Sequence, residues 1–186
     1  PLDLQKAKAV DEWVDKLIAL DKMELSDSPW NTPVFVVPKP KSDGFRIVND
    51  FRGLNQRTKR AEWPLPIVQY ALDSLGGSTY FTQIDLSDAF FQLPLAREHR
   101  EYTAFNTGSR HVQYRVLPMG LCNSTATFQR LMTQIFHDTP WLRPYVDDLI
   151  VPASSFAELI ERTEFVFARL HQAGLKMSGK KTFIGL

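Results

Sequence analysis

Apolar residues recur along the chain with two different periods, which predict helices and short strands. An apolar residue at every third or fourth position predicts helices over residues 4–20 and about 156–173. A further helix is predicted over 64–77, where prolines come first and glycines last. Another is expected to run from Ser124, as its N-cap, to about His137.

Short apolar runs between turn residues predict strands. Strands are expected over residues 34–37, 45–51, 80–86 and about 176–184, with a hairpin around Asn106–Ser109 and a strand–turn–strand unit over 144–151. A turn or short helix is expected directly after residue 86. Because strands and helices mix without a regular alternation, the predicted fold class is α+β.

The helix after residue 155 carries the clearest end signals. Ser155 and Glu158 form a capping box at its start, and Gly174 follows its end. The residues predicted to line its buried face are Phe156, Ile160, Thr163, Phe167 and Leu170.

Composition narrows the class of protein. The 186 residues fit one domain, or one domain with two lobes, and a hydrophobic fraction of 44% supports a sizeable core. Cys122 is the only cysteine, which excludes an intrachain disulfide and a cysteine-based zinc site. Neither a membrane helix nor a signal peptide is recognisable, so we expect an intracellular, cytoplasmic protein without a membrane partner. The chain begins at a proline, which suggests a piece of a longer protein.

Basic residues are concentrated in one stretch, although the net charge is only +1. Between Lys39 and Arg60, seven lysines and arginines stand against two acidic residues, Asp43 and Asp50. Such a patch is typical of proteins that bind polyanions, and a solvated surface explains it equally well.

Two adjacent carboxylates, Asp147 and Asp148, interrupt an apolar stretch. Neighbouring residues of a strand point to opposite faces, so the pair can converge only where the chain bends, at the tip of a hairpin. A divalent cation would cancel the repulsion, with Asp85 at the end of another predicted strand as the third carboxylate. Three carboxylates can hold two Mg²⁺ ions, or Mn²⁺ in their place, and support in-line displacement at phosphorus. The competing interpretation is a pair of exposed turn residues, since Asp favours turns.

Four blocks of sequence resemble one family. They contain "SPWNTPVFVVPKP" with "FRIVNDFRGLN", then "DLSDAFF", "LPMGLCNSTATFQRLM" and "YVDD". In this order they resemble the reverse transcriptase domain of retroviruses and long-terminal-repeat retrotransposons, in particular the gypsy type. The resemblance implies a right-hand polymerase without thumb or RNase H, whose palm is an antiparallel sheet backed by helices. It implies fingers over 1–59 and 93–123 and a palm over 60–92 and 124–186.

The resemblance also implies roles for single residues. The metal-binding catalytic carboxylates would be Asp85, Asp147 and Asp148. The nucleotide-binding residues would be Lys39, Arg46, Asp88, Ala89, Phe90, Met119 and Gly120. A lysine and an arginine suit a triphosphate, because one offers point charge and the other a bidentate fork.

Three further roles follow from the same resemblance. Phe90 would be the steric gate that excludes a 2′-OH, and its competing interpretation is core packing. Arg52 would contact the templating base, and Lys180 or Lys181 would protonate the leaving pyrophosphate.

The sequence departs from the family pattern at two positions. Met119 stands where retroviral enzymes usually carry Gln and gypsy-type elements an aromatic residue. It keeps an apolar wall but loses a hydrogen bond to the nucleotide. Thr125 stands where Pro is usual, which leaves the start of that helix less restricted.

The implied function is RNA-directed DNA synthesis by a nucleotidyltransferase. Its implied cofactors are two Mg²⁺ ions, and its partners are an RNA or DNA template-primer, deoxynucleoside triphosphates and the thumb and RNase H of a parent polyprotein. The resemblance also implies that two copies of the chain can form a homodimer. It places the parent element in a virus-like particle or capsid. The alternative is a non-catalytic nucleic-acid-binding or scaffold fragment of a retroelement polyprotein.

One motif points elsewhere and is rejected. "GLKMSGKK", residues 174–181, nearly matches the phosphate-binding loop of nucleotide hydrolases. That loop must follow a strand and open a helix, whereas this segment follows a predicted helix and lacks the final Ser or Thr.

Overall fold

The computed structural model describes residues 4–38, 44–64, 76–142 and 144–186. The chain divides into a first unit, Pro1–Arg60 with Leu93–Ser124, and a second unit, Ala61–Gln92 with Thr125–Leu186. Both units combine helices with antiparallel strands, so the α+β prediction is confirmed. The helix predicted over 64–77 falls mostly outside the described residues.

The helices and strands are as follows. The described helices are α1 (Leu4–Ala19), α2 (Arg52–Arg57), α3 (Arg97–Arg100), α4 (Ser124–Ile135) and α5 (Phe156–Gln172). The described strands are β1 (Met23–Leu25), β2 (Val34–Pro38), β3 (Phe45–Asn49), β4 (Tyr80–Asp85), β5 (Phe105–Asn106), β6 (His111–Tyr114), β7 (Asp148–Ala153) and β8 (Phe183–Ile184). Short 3-10 turns cover Ala89–Gln92 and Glu101–Thr103.

The first unit is built around a small sheet in the order β1-β6-β5 and a separate β2–β3 hairpin. Helix α1 buries Val10, Val14 and Leu17, which share one helical face. Arg110, before β6, forms ion pairs with Asp11 and Asp15 of α1 at 3.4 and 2.6 Å. The N-terminal helix is therefore held to this unit by apolar burial and by ion pairs.

The second unit is a sheet in the order β7-β4-β8 that packs against α5. The helix begins at the predicted capping box, since the Glu158 N–H donates to Ser155 Oγ at 3.2 Å and the Ser154 N–H donates to Glu158 Oε2 at 2.7 Å. Its buried hydroxyl Thr163 pairs with Thr82 of β4 at 3.0 Å. The N-cap at Ser155 and the end near Gly174, whose φ is +72°, are confirmed, whereas the return bond to Glu158 comes from Ser154, one residue before the N-cap.

The predicted buried face of α5 is partly wrong. The buried residues are Leu159, Thr163, Val166 and Leu170. Phe156 and Ile160 are 56% and 37% exposed. The two candidate faces share Thr163 and Leu170, and the face that is buried is the one that also contains Leu159 and Val166.

Other boundaries also differ from the predictions. The last strand shrinks to β8 plus a single bridge between Leu86 and Met177. Ser124 is the first residue of α4, and its hydroxyl donates to the Pro118 carbonyl at 2.8 Å. Strand β1 and the short helices α2 and α3 were not predicted, because elements of three to six residues show too few turns of periodicity. Every helix that the structure describes is too short or too polar to cross a lipid bilayer.

Candidate active site

Strands β4 and β7 bring two carboxylates side by side. They pair antiparallel, with Asp85 opposite Asp148 and Ile84 opposite Leu149. Directly opposed residues share one face of an antiparallel sheet, with Cβ atoms about 4.5–5.5 Å apart. Ile84 and Leu149 are fully buried, so the alternation leaves the two carboxylates on the open face.

The same alternation explains why an apolar stretch tolerates acidic residues. Leu149 and Val151 are fully buried, whereas Asp148 is exposed and Asp147 is half-buried. Neither carboxylate loses all of its hydration, and the large cost of burying an unpaired charge does not arise.

The turn before β7 carries Asp147. Tyr145 and Asp148 exchange two backbone hydrogen bonds of 3.0 Å and so close a four-residue turn. Val146 has a φ of +55°. The predicted first arm is not a strand but a single bridge at Tyr145, since Pro144 has no N–H to offer a ladder.

Negative side chains outnumber positive ones around Asp148. Burial raises the pKa of Asp148, and the negative charges of Asp147 and Asp85 raise it further, while Lys181 lowers it. Lys181 Nζ lies 3.4 Å from Asp85 Oδ2. The Asp85 side chain is 24% exposed and that of Lys181 is 70% exposed, so this ion pair is accessible to solvent.

The donor set fits a divalent cation in its chemistry. Three carboxylates at one end of the β4–β7 pair are the hard oxygen ligands that Mg²⁺ prefers. Partial burial, and after it the negative charges of Asp147 and Asp85, raise the pKa of Asp148, and a bound cation would offset this repulsion between the carboxylates. Within the described ranges, no three His, Cys, Asp or Glu side chains are already arranged around a common metal position.

The segment after β4 forms a tight turn. Asp88 has a φ of +47°, and its carbonyl accepts from the Phe91 N–H at 2.8 Å. Ala89 is buried, and Phe90 is half-buried with its ring edge-on to the fully buried ring of Phe128, at 5.5 Å between centroids. The core-packing interpretation of Phe90 therefore describes part of its ring, and the rest is accessible.

Gln92 is a residue of this region that sequence reasoning missed. Its amide nitrogen donates to the carbonyls of Ser87 and Lys176 at 2.5 and 2.9 Å, and its amide oxygen accepts from the Lys176 N–H at 2.6 Å. The Ser178 N–H donates to the Asp85 carbonyl at 2.8 Å. The segment that leads to Lys181 is thus held alongside the end of β4.

The remaining predicted residues lie in the first unit, or outside the described residues in the case of Lys39. Arg46 lies on β3, opposite Val37, and is exposed. Arg52, at the start of α2, is paired with Asp50 through three side-chain contacts of 2.6–3.0 Å and one backbone hydrogen bond of 3.0 Å. These hydrogen bonds lower the pKa of Asp50.

Met119 and Gly120 lie in a loop held by α2. Met119 is 64% exposed, and Gly120 has a φ of +93°, a conformation that favours glycine. The Asn55 amide donates to the Gly120 carbonyl and accepts from the Cys122 N–H, both at 2.8 Å. Sequence reasoning missed Asn55, because its partners are more than 60 residues away.

The segment 174–181 is not a phosphate-binding loop. It follows α5, and the next regular element is the strand β8 rather than a helix. Gly174 ends α5 with a φ of +72°, as expected for a helix C-terminus.

The family model and the similar proteins that match this chain all indicate the same family. Residues 37–186 match the family model described as reverse transcriptase (RNA-dependent DNA polymerase). The chain is 38% identical over 176 residues to the retrovirus-related Pol polyprotein from transposon 297 of Drosophila melanogaster, covering 90% of this chain and 16% of that protein. It is 34% identical to the Gag-Pol polyprotein of Rous sarcoma virus subgroup C, covering 97% of this chain and 12% of that protein.

Solved structures are similar over nearly the whole chain. The foamy viral protease-reverse transcriptase in complex with RNA/DNA hybrid matches with a TM-score of 0.91 and 27% identity. A selenomethionine-labelled mutant of the prototype foamy virus protein matches with a TM-score of 0.89 and 30% identity. Both matches cover 99% of this chain and 25% of the solved chain. The chain therefore corresponds to a fingers-and-palm-sized part of much longer proteins.

Proposed function

The chain belongs to the reverse transcriptase family, and from this premise we propose that it supplies the fingers and palm of an RNA-directed DNA polymerase. In the proposed reaction a primer 3′-OH attacks the α-phosphate of a deoxynucleoside triphosphate opposite an RNA or DNA template. The 3′ oxygen bonds to the α-phosphorus, the bond from that phosphorus to the bridging oxygen breaks, and pyrophosphate leaves. The observation that carries the proposal is Asp85 placed opposite Asp148 on an open sheet face, with Asp147 beside them.

Asp85, Asp147 and Asp148 would hold two divalent cations. When bound, Mg²⁺ supplies activation of the attacking hydroxyl and stabilisation of the leaving oxygen. The chain's own part is to hold the carboxylates in place. Asp85 and Asp148 belong to adjacent strands that bury Ile84 and Leu149 completely on their other face, and sites on strands are more rigid than sites on loops.

Lys181 is the better candidate for the proton donor to pyrophosphate. Its ammonium group lies 3.4 Å from Asp85, and the segment before it is held by Gln92 beside the end of β4. Lys180, the alternative from the sequence, is exposed as Lys181 is, and it is the short distance to Asp85 that favours Lys181. The proposed role of Lys181 is to transfer a proton to the oxygen that leaves the α-phosphorus.

Phe90 would select the sugar of the incoming nucleotide. Its ring is supported edge-on by the buried Phe128 ring, so it cannot retreat far when a larger sugar approaches. A fixed ring rejects a 2′-OH by contact repulsion. The neighbouring Asp88 and Ala89 would offer backbone N–H groups to the phosphates.

For the first unit we propose contacts with nucleotide and template. Arg46 would bind a phosphate as a bidentate fork, and Met119 and Gly120 would line the nucleotide pocket. Arg52 would contact the templating base from a position held by Asp50. The role of Lys39, the homodimer and the intracellular location stay predictions.

Single-nucleotide primer extension tests the proposal. A DNA primer annealed to an RNA template is incubated with the chain, one deoxynucleotide and Mg²⁺ or Mn²⁺. The Asp147→Asn variant should lose extension, while Asp27→Asn, an exposed aspartate of the first unit, should retain it. Extension by Asp147→Asn at the wild-type rate would refute the assignment of the carboxylates.

A second measurement separates the catalytic proposal from a scaffold. Deoxynucleotide binding is measured in the presence of primer-template, with and without Mg²⁺. Metal-dependent binding without extension would assign the missing requirement to other parts of the parent polyprotein. Absence of both extension and metal-dependent binding would favour the non-catalytic scaffold.

A further inference from the structure

One buried amide spans the turn that carries the paired carboxylates. Gln129, on α4, is 1% exposed. Its amide nitrogen donates to the Pro144 carbonyl at 3.0 Å, and its amide oxygen accepts from the Val146 N–H at 2.8 Å. Both ends of the side chain are therefore paired with backbone on either side of Tyr145.

The backbone that Gln129 contacts is in a disfavoured conformation. Val146 has a φ of +55°, while Asp147 does not have a positive φ, which is the sign pattern of a type II′ turn. Glycine is usual at the first central position of that turn, and a β-branched residue there is an outlier. Such an outlier persists only where surrounding contacts enforce it.

The side chain of Val146 contributes to the buried apolar core. It is only 8% exposed, so a glycine at this position would remove a buried apolar group. The turn thus combines a residue that its packing requires with a backbone angle that this residue disfavours. An external contact that holds the angle is the physical solution.

We propose that Gln129 is a positioning residue: its amide holds Val146 in the left-handed conformation and thereby directs the Asp147 and Asp148 carboxylates. The consequence for catalysis rests on the proposed function above. The effect on the turn itself does not, and it can be measured without any nucleotide.

The rival explanation is that Gln129 only satisfies buried polar groups. A buried amide must be paired wherever it lies, and losing it would cost stability at any position. The two explanations differ in one respect. If Gln129 enforces the positive φ at Val146, removing its amide must have a smaller effect on the turn when residue 146 no longer resists that angle.

The first experiment removes the amide. Gln129→Met keeps an unbranched side chain of similar length without either hydrogen bond. Gln129→Leu also removes both hydrogen bonds and serves as the second variant if the methionine variant does not fold. Gln134→Met, on an exposed position of the same helix, is the matched control. Circular dichroism first establishes that each variant is folded.

Hydrogen exchange at the Val146 amide measures the turn directly. We expect Gln129→Met to accelerate this exchange on the order of tenfold or more, and Gln134→Met to leave it unchanged. In primer extension we expect kcat to fall on the order of 10²-fold with KM nearly constant, because the change displaces reacting groups rather than substrate contacts.

The second experiment changes residue 146. Val146→Gly removes the buried side chain and the resistance to a positive φ, whereas Val146→Ala removes most of the side chain and keeps the resistance. We expect Gln129→Met to accelerate exchange of the residue-146 amide about tenfold less in the Val146→Gly background than in the Val146→Ala background. The loss of kcat should follow the same order.

The outcomes decide between the explanations. Unchanged exchange at Val146 in folded Gln129→Met or Gln129→Leu would overturn the proposal. An equal effect of Gln129→Met in the Val146→Gly and Val146→Ala backgrounds would also overturn it and leave buried pairing alone. If the wild-type chain shows neither primer extension nor metal-dependent nucleotide binding, the proposed function fails, and the exchange measurements still decide the role of Gln129.

Discussion

Removal of the Asn55 side-chain amide is expected to release the loop that carries Met119 and Gly120. This amide donates to the Gly120 carbonyl and accepts from the Cys122 N–H, both at 2.8 Å. In the Asn55→Ala variant both backbone groups lose their side-chain partner.

The size of the effect follows from the burial of these groups. A hydrogen bond contributes about 0.5–1.5 kcal/mol net, so two contribute about 1–3 kcal/mol. Gly120 is exposed and Cys122 is half-buried, so water can reach part of what is lost. We therefore expect the free energy of unfolding to fall by about 1–2 kcal/mol, in the lower part of that range.

Two assays report the change. Urea denaturation measures the free energy of unfolding, and Gln56→Ala, an exposed amide on the same helix, should change it by less than about 0.5 kcal/mol. Alkylation of Cys122, the only cysteine, measures access to the loop. We expect Asn55→Ala to accelerate alkylation on the order of tenfold, because local opening exposes the thiol.

If Asn55→Ala behaves like Gln56→Ala in both assays, the Asn55 amide does not hold this loop. A loss of stability with unchanged alkylation would show that Asn55 stabilises α2 without holding the loop. Faster alkylation with unchanged stability would show that the loop opens independently of global unfolding.

Three further predictions concern sugar selectivity, the core and acid stability. Phe90→Ala should raise kcat/KM for ribonucleotides relative to deoxynucleotides, and unchanged selectivity would leave Phe90 a packing residue. Leu149→Ala should lower the free energy of unfolding by about 2–5 kcal/mol, whereas Ile150→Ala, on the open face, should lower it by less than about 1 kcal/mol. Equal losses would contradict the observed alternation. Burial raises the pKa of Asp11, but hydroxyl hydrogen bonds and the Arg110 guanidinium outweigh it and lower the pKa. The stability that Asp11 contributes should be complete above its unfolded pKa of about 3.9 and lost as pH falls through the folded pKa, so Asp11→Asn should flatten the acid limb of stability against pH.

Local pattern predicts the parts of this fold that depend on neighbouring residues. The bend at Asp147 and Asp148 was predictable, because neighbouring residues of a strand point to opposite faces whatever its partners are, and a turn closed by Tyr145 and Asp148 is found there. The identity of the neighbouring strand is not contained in this local pattern. The pairing of Asp85 with Asp148 joins strands more than 60 residues apart, and only the two strand ends pointed to it. Conversely, the face of α5 was assigned wrongly because two overlapping stripes satisfy the same helical period.

Side-chain contacts that hold loops are the least predictable, because they join residues far apart in sequence. Gln129 reaches Val146 over 17 positions, Asn55 reaches Gly120 over 65, and Gln92 reaches Lys176 over 84. No period relates these positions. A single sequence marks each of them only as a polar residue.

These three amides nevertheless share one physical property that explains their use. Each offers a donor and an acceptor at a fixed spacing, and each uses both on backbone groups of a neighbouring loop. A carboxylate would keep only the acceptor and an ammonium only the donor. Near Asp147 and Asp148 a carboxylate would also add negative charge to a cluster that already repels itself. A neutral amide holds the backbone without changing the charge that the proposed chemistry needs, so Gln129→Glu should impair catalysis beyond its loss of one hydrogen bond.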